Sequence, residues 1–341
     1  MTQQRPSVAL VGVGKMGQTV HLPKLAASPK VNLKVIVDPY APETQLIGLA
    51  ELWGCSWARE MPSSGIDLVV VSTPVSSHLD IASAAVQLGS HVLVEKPLGE
   101  SHERARNLLK DAQLRDRRVF CGHMRRFYSN YETARSCVIQ GLIGRVRSIK
   151  TYEGNLYGWA RAFSADKLNA AYAIDSGVLF DVGSHSIDAV RFVLGAEFET
   201  FETDRAITDD VAVQADVYAE LTITSEYRPP IPWQISLSNT TSLANCTWIE
   251  GETGTIRLTP MEGDLAIFLS DGTCITIPGK TESGDVFELQ LNEVVARCQD
   301  GQASVIDASN ILGTVEVLEA IQSSLVVGNV PWLRNVYLDA S

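Results

Sequence analysis

Val8-Ala-Leu-Val-Gly12-Val-Gly14-Lys15-Met16-Gly17 is the stretch that decides the fold of this chain. An apolar, β-branched run leads straight into G-x-G-x-x-G, and a helix-like stretch follows to about residue 27. Strand, glycine turn and helix in that order make a phosphate-binding turn for a dinucleotide. Gly12 permits the tight turn, and Gly14 lets the backbone approach a pyrophosphate. Gly17 lets helix and strand pack with no side chain between them. Lys15 and Met16 lie inside the turn, where the positive end of the helix faces an anion. Glycine-rich turns are common by themselves, so the flanking sequence has to agree.

It does. The next apolar run, Leu33–Val37, ends on Asp38, 21 residues past Gly17. A carboxylate about 20 residues beyond the glycine turn hydrogen-bonds the adenosine ribose in such folds, and its charge repels a 2′-phosphate. The alternative is a loop aspartate that only introduces Pro39. Neither Pro39 nor Tyr40 brings an arginine that would reverse the preference. NAD is the expected cofactor, with NADP disfavoured.

The same texture repeats over the first third of the chain. Apolar runs at Val8–Val13, Leu33–Val37, Ile66–Val71, Val92–Val94 and Val119–Cys121 alternate with helix-like stretches near 16–27, 42–52, 77–88 and 101–114. Short two-sided strands interleaved with helices indicate a parallel sheet covered on both faces. The fold class is α/β, a doubly wound Rossmann sheet over residues 1–122. Beyond that the pattern changes. A helical segment near 126–140 ends at Gly141, and a strand-like run follows at Val146–Tyr152. Val211–Thr224, Trp233–Leu237, Cys246–Glu250 and Thr255–Leu258 alternate apolar with polar residues. Pro229-Pro230, Gly251, Gly254 and Asp271-Gly272 punctuate them, and helices near 285–299 and 308–327 close the chain. Residues 123–341 are expected to form an α+β domain whose antiparallel sheet buries one face.

In open parallel sheets, ligands bind beyond the carboxyl ends of the strands. Two of those ends carry unusual residues. Ser72-Thr73-Pro74 follows Ile66–Val71, with His78 four residues on, and Glu95-Lys96-Pro97 follows Val92–Val94. A charged pair ending a buried strand needs a partner or a task. One possibility is a surface salt bridge. The other aims Lys96 at a cofactor, with Pro97 setting the bend, through a cis bond if need be.

Bulk properties narrow the partners. A formal net charge of −12 argues against nucleic acid, which requires a basic face, but leaves small anions open. No apolar stretch approaches the ~20 residues needed to cross a bilayer, so no membrane partner is expected. Met1-Thr-Gln-Gln-Arg-Pro6 has no secretory character. The six cysteines form no C-x-x-C pair and read as reduced, mostly buried thiols, not as a disulfide frame or a metal site. A cytoplasmic protein is expected. Asn239-Thr-Thr and Asn245-Cys-Thr then match the glycosylation pattern by chance.

Taken together, Gly12-x-Gly14-x-x-Gly17, Ser72-Thr73-Pro74 and Glu95-Lys96-Pro97 resemble the glucose–fructose oxidoreductase/inositol dehydrogenase/MocA family. Gly177-Val-Leu-Phe-Asp181-Val-Gly183-Ser-His185-Ser-Ile-Asp188 is similar to that family's second-domain motif. The resemblance implies an open, mainly antiparallel sheet in the second domain, used to build homodimers or homotetramers. It also implies an NAD(P)-dependent dehydrogenase acting on a secondary hydroxyl of a sugar, cyclitol or related polyhydroxylated compound.

Asp181 and His185, four apart, share a face if their segment is helical. By spacing alone a plain exposed ion pair is the favoured reading. The resemblance makes His185 the catalytic base, Asp181 its orienting carboxylate, and Lys96 the donor to the reacting oxygen. The expected cofactor site comprises Gly12, Gly14, Lys15, Met16, Gly17, Asp38, Ser72, Thr73, Pro74, His78, Glu95 and Lys96. Substrate contacts are sought at Arg126, Tyr157, Trp159, Asp175 and His185, with Arg125 and Arg161 as further candidates. Aromatics beside arginine suit a sugar bearing an anionic group, and suit a surface loop as well. Where the family often has a glycine pair, this chain has Asp175-Ser176, so no single member's substrate carries over. Asp188 is expected to be structural, with Arg191 as partner, and His21, His91 and His102 to be ordinary helix or loop residues. Two alternatives stay open: net glycosidic cleavage through transient oxidation and elimination, and a non-catalytic NAD sensor.

Overall fold

The computed structural model describes residues 5–155, 177–195, 200–210, 214–225, 228–279 and 285–332. It divides into two units, Met1–Met124 with Ser283–Leu312, and Arg125–Glu282 with Gly313–Ser341.

In the first unit, six parallel strands lie in the order β3-β2-β1-β4-β5-β6. They are β1 (Ser7–Val11), β2 (Asn32–Val37), β3 (Ser56–Ala58), β4 (Leu68–Val71), β5 (His91–Val94) and β6 (Val119–Cys121). This is the doubly wound order, with its switch point between β1 and β4. Helices α1 (Leu22–Ala27), α2 (Glu43–Trp53), α3 (Val75–Gln87) and α4 (His102–Leu114) connect them. Val8, Ala9 and Leu10 of β1 and all four residues of β4 are buried, so these strands have no polar face. Each of the buried valines and leucines contributes about 1.5–3 kcal/mol of transfer free energy, which is what fixes the sheet at the centre of the unit.

The expected boundary at residue 122 needs one correction. The chain returns to the first unit with α7 (Val286–Asp300) and the start of α8 (Ala308–Ser324). The physical reason is the bare edge of β6, since an unpaired strand edge is a liability. Cys121 N–H donates to Ile306 O at 3.0 Å, and Arg118 Nη2 grips both oxygens of Asp307 at 2.6 and 2.7 Å. The short strand β3 has no apolar run to mark it in the sequence; it joins β2 by Val35↔Ser56 to Val37↔Ala58.

In the second unit, a nine-stranded sheet has the order β14-β13-β12-β11-β7-β10-β9-β8-β15. Its strands are β7 (Val146–Gly154), β8 (Thr200–Thr208), β9 (Asp216–Ser225), β10 (Arg228–Ser238), β11 (Cys246–Gly251), β12 (Gly254–Leu258), β13 (Leu265–Leu269), β14 (Cys274–Ile277) and β15 (Leu325–Val327). Most neighbours are antiparallel; β7–β10 and β8–β15 are parallel. Pro229 and Pro230 lie inside β10, not between strands. They fall at a register shift against β9 and before Trp233, where pairing with β7 begins, so their missing N–H groups break few ladder bonds. Helices α5 (Ser129–Ile139) and α6 (Ser184–Leu194) belong to this unit, and a π-turn over Leu179–Gly183 leads into α6.

Candidate active site

The glycine turn has the geometry its sequence implies. Gly12 has φ +94°, and a Cβ there would collide with the Ser72 carbonyl. A Cβ on Gly17 would collide with the Gly12 carbonyl, whereas one on Gly14 would meet nothing within 4 Å. Gly12 and Gly17 therefore allow close packing, and Gly14 leaves open space where a pyrophosphate needs backbone. A π-turn over Gly17–His21 precedes α1. Such bulges recur at functional segments, and this one and Leu179–Gly183 both fall on candidate site residues. Asp38 caps β2 with its Oδ2 accepting Val13 N–H at 3.0 Å and its Oδ1 accepting Tyr40 and Ala41 N–H at 2.9 Å each. Across the switch point, Ser72 Oγ is buried with no hydrogen-bond partner among the described residues. A clear Gly14, a carboxylate tied to the turn and an orphaned hydroxyl beside it fit a dinucleotide.

At the end of β5 the Lys96–Pro97 bond is cis. Glu95 is buried, not part of a surface salt bridge, and Lys96 beside it is half-buried. Glu95 Oε1 lies 2.7 Å from His21 Nε2, and its Oε2 accepts Lys96 N–H at 3.1 Å. Burial would push the Glu95 carboxyl up, but His21, by hydrogen bond and charge, and Lys96 hold it below the usual carboxylate range. His21, read as an ordinary residue, thus links the helix after the glycine turn to the strand end that carries Lys96. A buried carboxylate in need of a partner was visible in the sequence; the π-turn that brings His21 to it was not.

His78, expected to line the cofactor, is only 1% exposed. Its Nδ1 is 2.8 Å from Pro97 O and its Nε2 2.8 Å from Thr73 O. It ties the Ser72-Thr73-Pro74 turn to the Glu95-Lys96-Pro97 turn. Carbonyl oxygens only accept, so a proton on each ring nitrogen meets both contacts, and a neutral ring meets one.

In the second unit, the helical stretch from Gly177 to Val193 is buried at every position except two, and those two are Asp181 and His185. Gly183, between them, lets this stretch press on the sheet, since a Cβ there would lie 2.7 Å from Leu237 Cδ1. Behind it are two buried charge networks. Arg125 makes a two-pronged pair with Glu153, which also accepts Ser186 Oγ–H at 2.5 Å. Burial works against the Arg125 charge, but Glu153 more than offsets it and holds the guanidinium protonated. Arg126, 4% exposed, donates from Nε to Asp188 Oδ2 at 2.8 Å and from Nη2 to Oδ1 at 2.6 Å. Thr314 Oγ1 donates to Asp188 Oδ1 at 3.1 Å and accepts from Arg191 Nη1 at 2.9 Å.

These networks revise two expectations. Arg125 and Arg126, both candidate substrate contacts, have their charges neutralised in buried pairs with Glu153 and Asp188; partners 28 and 62 residues away leave no local signal. Asp188 is buried and bidentate with Arg126, while its sequence neighbour Arg191 joins the same network through Thr314. Tyr157, Trp159, Arg161, Asp175 and Ser176 lie outside the described residues. Among the described residues no His/Cys/Asp/Glu group could hold a metal, and no helix is long and apolar enough to cross a membrane. Of the six free cysteines, two, Cys121 and Cys246, are fully buried, fewer than expected.

Comparison with known proteins follows the same two units. Residues 7–123 match the family model described as an oxidoreductase family with an NAD-binding Rossmann fold, and residues 131–257 match the GFO/IDH/MocA C-terminal domain. The rhizopine catabolism protein MocA of Rhizobium meliloti is 29% identical over 195 residues, which cover 57% of this chain and 59% of that protein. Inositol 2-dehydrogenase of Rhizobium meliloti (strain 1021) is 27% identical over 209 residues, covering 60% and 59%. The chain thus spans 59% of the length of each of these two relatives. The 4-carboxy-2-hydroxymuconate-6-semialdehyde dehydrogenase of Sphingobium sp. (strain NBRC 103272 / SYK-6) is 23% identical over 334 residues, covering 91% and 98%. Among solved structures, aldose-aldose oxidoreductase from Caulobacter crescentus, complexed with glycerol, has a TM-score of 0.77 at 21% identity, covering 94% of this chain and 97% of that one. A 3-ketoreductase from Actinomadura kijaniata, in complex with NADP and TDP-benzene, has a TM-score of 0.76 at 19% identity, covering 96% and 100%. At such identities the likeness establishes the fold. With both halves matched, the chain belongs to the glucose–fructose oxidoreductase/inositol dehydrogenase/MocA family of oxidoreductases, with an NAD-binding Rossmann domain.

Proposed function

We propose that this chain is an NAD(P)-dependent dehydrogenase that transfers a hydride between a secondary hydroxyl of a sugar, cyclitol or sugar derivative and the nicotinamide. The observation that carries this is the pair Asp181 and His185, the two positions left half-buried in an otherwise buried helical stretch. Two polar groups kept accessible at such a place are poor stabilisers and good proton handlers. A bound nicotinamide supplies the two-electron acceptor; the chain has to supply proton transfer and charge stabilisation.

In alcohol oxidation, His185 takes the hydroxyl proton on a ring nitrogen, since histidine titrates near working pH. The Asp181 carboxylate orients the ring and favours the imidazolium. The Lys96 ammonium donates to the same oxygen and stabilises developing alkoxide charge. In the reducing direction these groups return the proton to a carbonyl. Gly12, Gly14, Gly17, Asp38 and Ser72 would hold the dinucleotide, with Lys15, Met16, Thr73 and Pro74 alongside. His78 and Glu95 act from behind, by setting the turns around Lys96. We place the working protein in the cytoplasm, as a homodimer or homotetramer formed through the nine-stranded sheet. In its favour, one face carries the Trp248–Phe268 stack, with ring centres 6.1 Å apart, and Phe268 is exposed.

The test is nicotinamide reduction over a panel of inositols, aldoses, glycosides and sugar phosphates. Semialdehydes join the panel because the relative matched over nearly its whole length is named for one. Turnover that survives Lys96→Ala or His185→Ala undiminished on the best substrate would sink the assignment. Free sugar released from glycosides without net reduced cofactor identifies oxidation–elimination instead. Cofactor binding with no turnover on any compound identifies a sensor.

A further inference from the structure

The pairing of β3 with β2 brings Arg59, the residue after β3, to the loop that carries Asp38. Its Nη1 donates to the carbonyl oxygens of Asp38 at 3.2 Å, Pro39 at 3.4 Å and Ala41 at 2.5 Å. The guanidinium also sits 5.8 Å from the centre of the Trp57 ring. Its position is therefore fixed by backbone and by an aromatic face. Among the described residues, no carboxylate pairs with Arg59, and its Nε and Nη2 make no hydrogen bond. Arg118, Arg125 and Arg126, by contrast, each meet a carboxylate.

A half-buried guanidinium with N–H groups left over is a preorganised fork for an anion. Asp38 does not supply that anion, because its oxygens already take three backbone N–H groups from Val13, Tyr40 and Ala41. We propose that Arg59 is a specificity-determining residue for the cofactor, which receives the 2′-phosphate of NADP and makes the chain bind NADP as well as NAD. The repulsion between Asp38 and a 2′-phosphate is offset by a cation that reaches the Asp38 loop from the end of β3. Sequence reading looks for that cation next to Asp38 and finds Pro39 and Tyr40; the sheet delivers it from 21 positions further on. The proposal rests on the dinucleotide site of the proposed function and is independent of Lys96, Asp181 and His185.

The experiment is equilibrium titration by calorimetry of the full chain with NAD, NADP, AMP and adenosine 2′,5′-bisphosphate. The last two probe the adenosine end without any turnover. Wild type is expected to bind NADP within about tenfold of NAD. Arg59→Met keeps the stem over Trp57 and is expected to weaken NADP and the bisphosphate about tenfold or more, with NAD and AMP changed by less than about threefold. Arg59→Lys, with a charge but no fork, is expected to fall between them, and serves as the readout if Arg59→Met does not fold. Equal weakening of both cofactors makes Arg59 a mere staple of the loop and overturns the proposal, as does a wild type that binds NAD alone. A wild type that binds neither cofactor overturns the proposal together with the dinucleotide site beneath it.

Discussion

Alanine at Gly14 and at Gly17 is expected to damage the protein in two different ways. At Gly17 a methyl carbon would fall well inside the 3.0 Å limit of real Cβ contacts, against the Gly12 carbonyl oxygen. That oxygen is backbone in a tight turn, so β1 and the following helix have to separate. Overpacking of this kind costs about 1–3 kcal/mol. In a unit of about 150 residues that is a fall in Tm of roughly 3–10 °C. At Gly14 the same carbon meets nothing within 4 Å. Alanine there is neutral or stabilising by up to about 1 kcal/mol, because it restricts the unfolded chain. It does, however, fill the opening through which the pyrophosphate reaches backbone, so Kd for NAD is expected to rise about tenfold or more. Scanning calorimetry measures the first effect and titration with NAD the second. If Gly14→Ala binds NAD as tightly as wild type, or loses as much stability as Gly17→Ala, the assignment of roles within the turn is wrong.

Other expectations concern the groups behind the site. Arg126→Met removes the bidentate guanidinium from buried Asp188 and is expected to cost about 3–5 kcal/mol in urea unfolding, while Arg126→Met with Asp188→Leu costs markedly less; additive losses would mean that the two do not act as a pair. Glu95 has a carboxyl held below its ordinary value of 4.5, so its contribution to stability is present above that pH and is lost as pH falls through the lowered folded value. The Tm gap between wild type and Glu95→Gln is therefore widest near neutrality and closes as the buffer is acidified; a constant gap would show that the carboxylate charge is not what stabilises. His185→Asn is expected to lower kcat by about 10²–10⁴ with the Kd for NAD unchanged, and equal loss in both quantities would assign His185 to binding.

Local spacing made much of this molecule legible. The glycine turn, the five apolar runs and the helix-like stretches between them specified the α/β unit, because a strand buried on both faces has no polar alternation to hide. Asp181 and His185 are singled out by the family resemblance, since their four-residue spacing also suits an ordinary ion pair; both are half-buried in an otherwise buried stretch. What stayed hidden depended on long-range geometry. The edge of β6 recruits residues 304–307, Arg126 finds Asp188, and Arg59 reaches Asp38 across a strand pair, all without a periodic signal. His21 was hidden for another reason. His21 ends a π-turn that changes the helical register, so no rule based on 3.6 residues per turn points it at Glu95.

The most direct measurement uses the best substrate of the panel labelled with deuterium at the carbinol carbon, mixed with enzyme-bound NAD for a single turnover. The recovered cofactor is then weighed by mass spectrometry. The proposed hydride transfer predicts deuterium in the reduced nicotinamide from wild type, and almost none from Lys96→Ala and His185→Ala enzymes that still bind NAD. Reduced cofactor without label, or label transferred as readily by both variants, would contradict it.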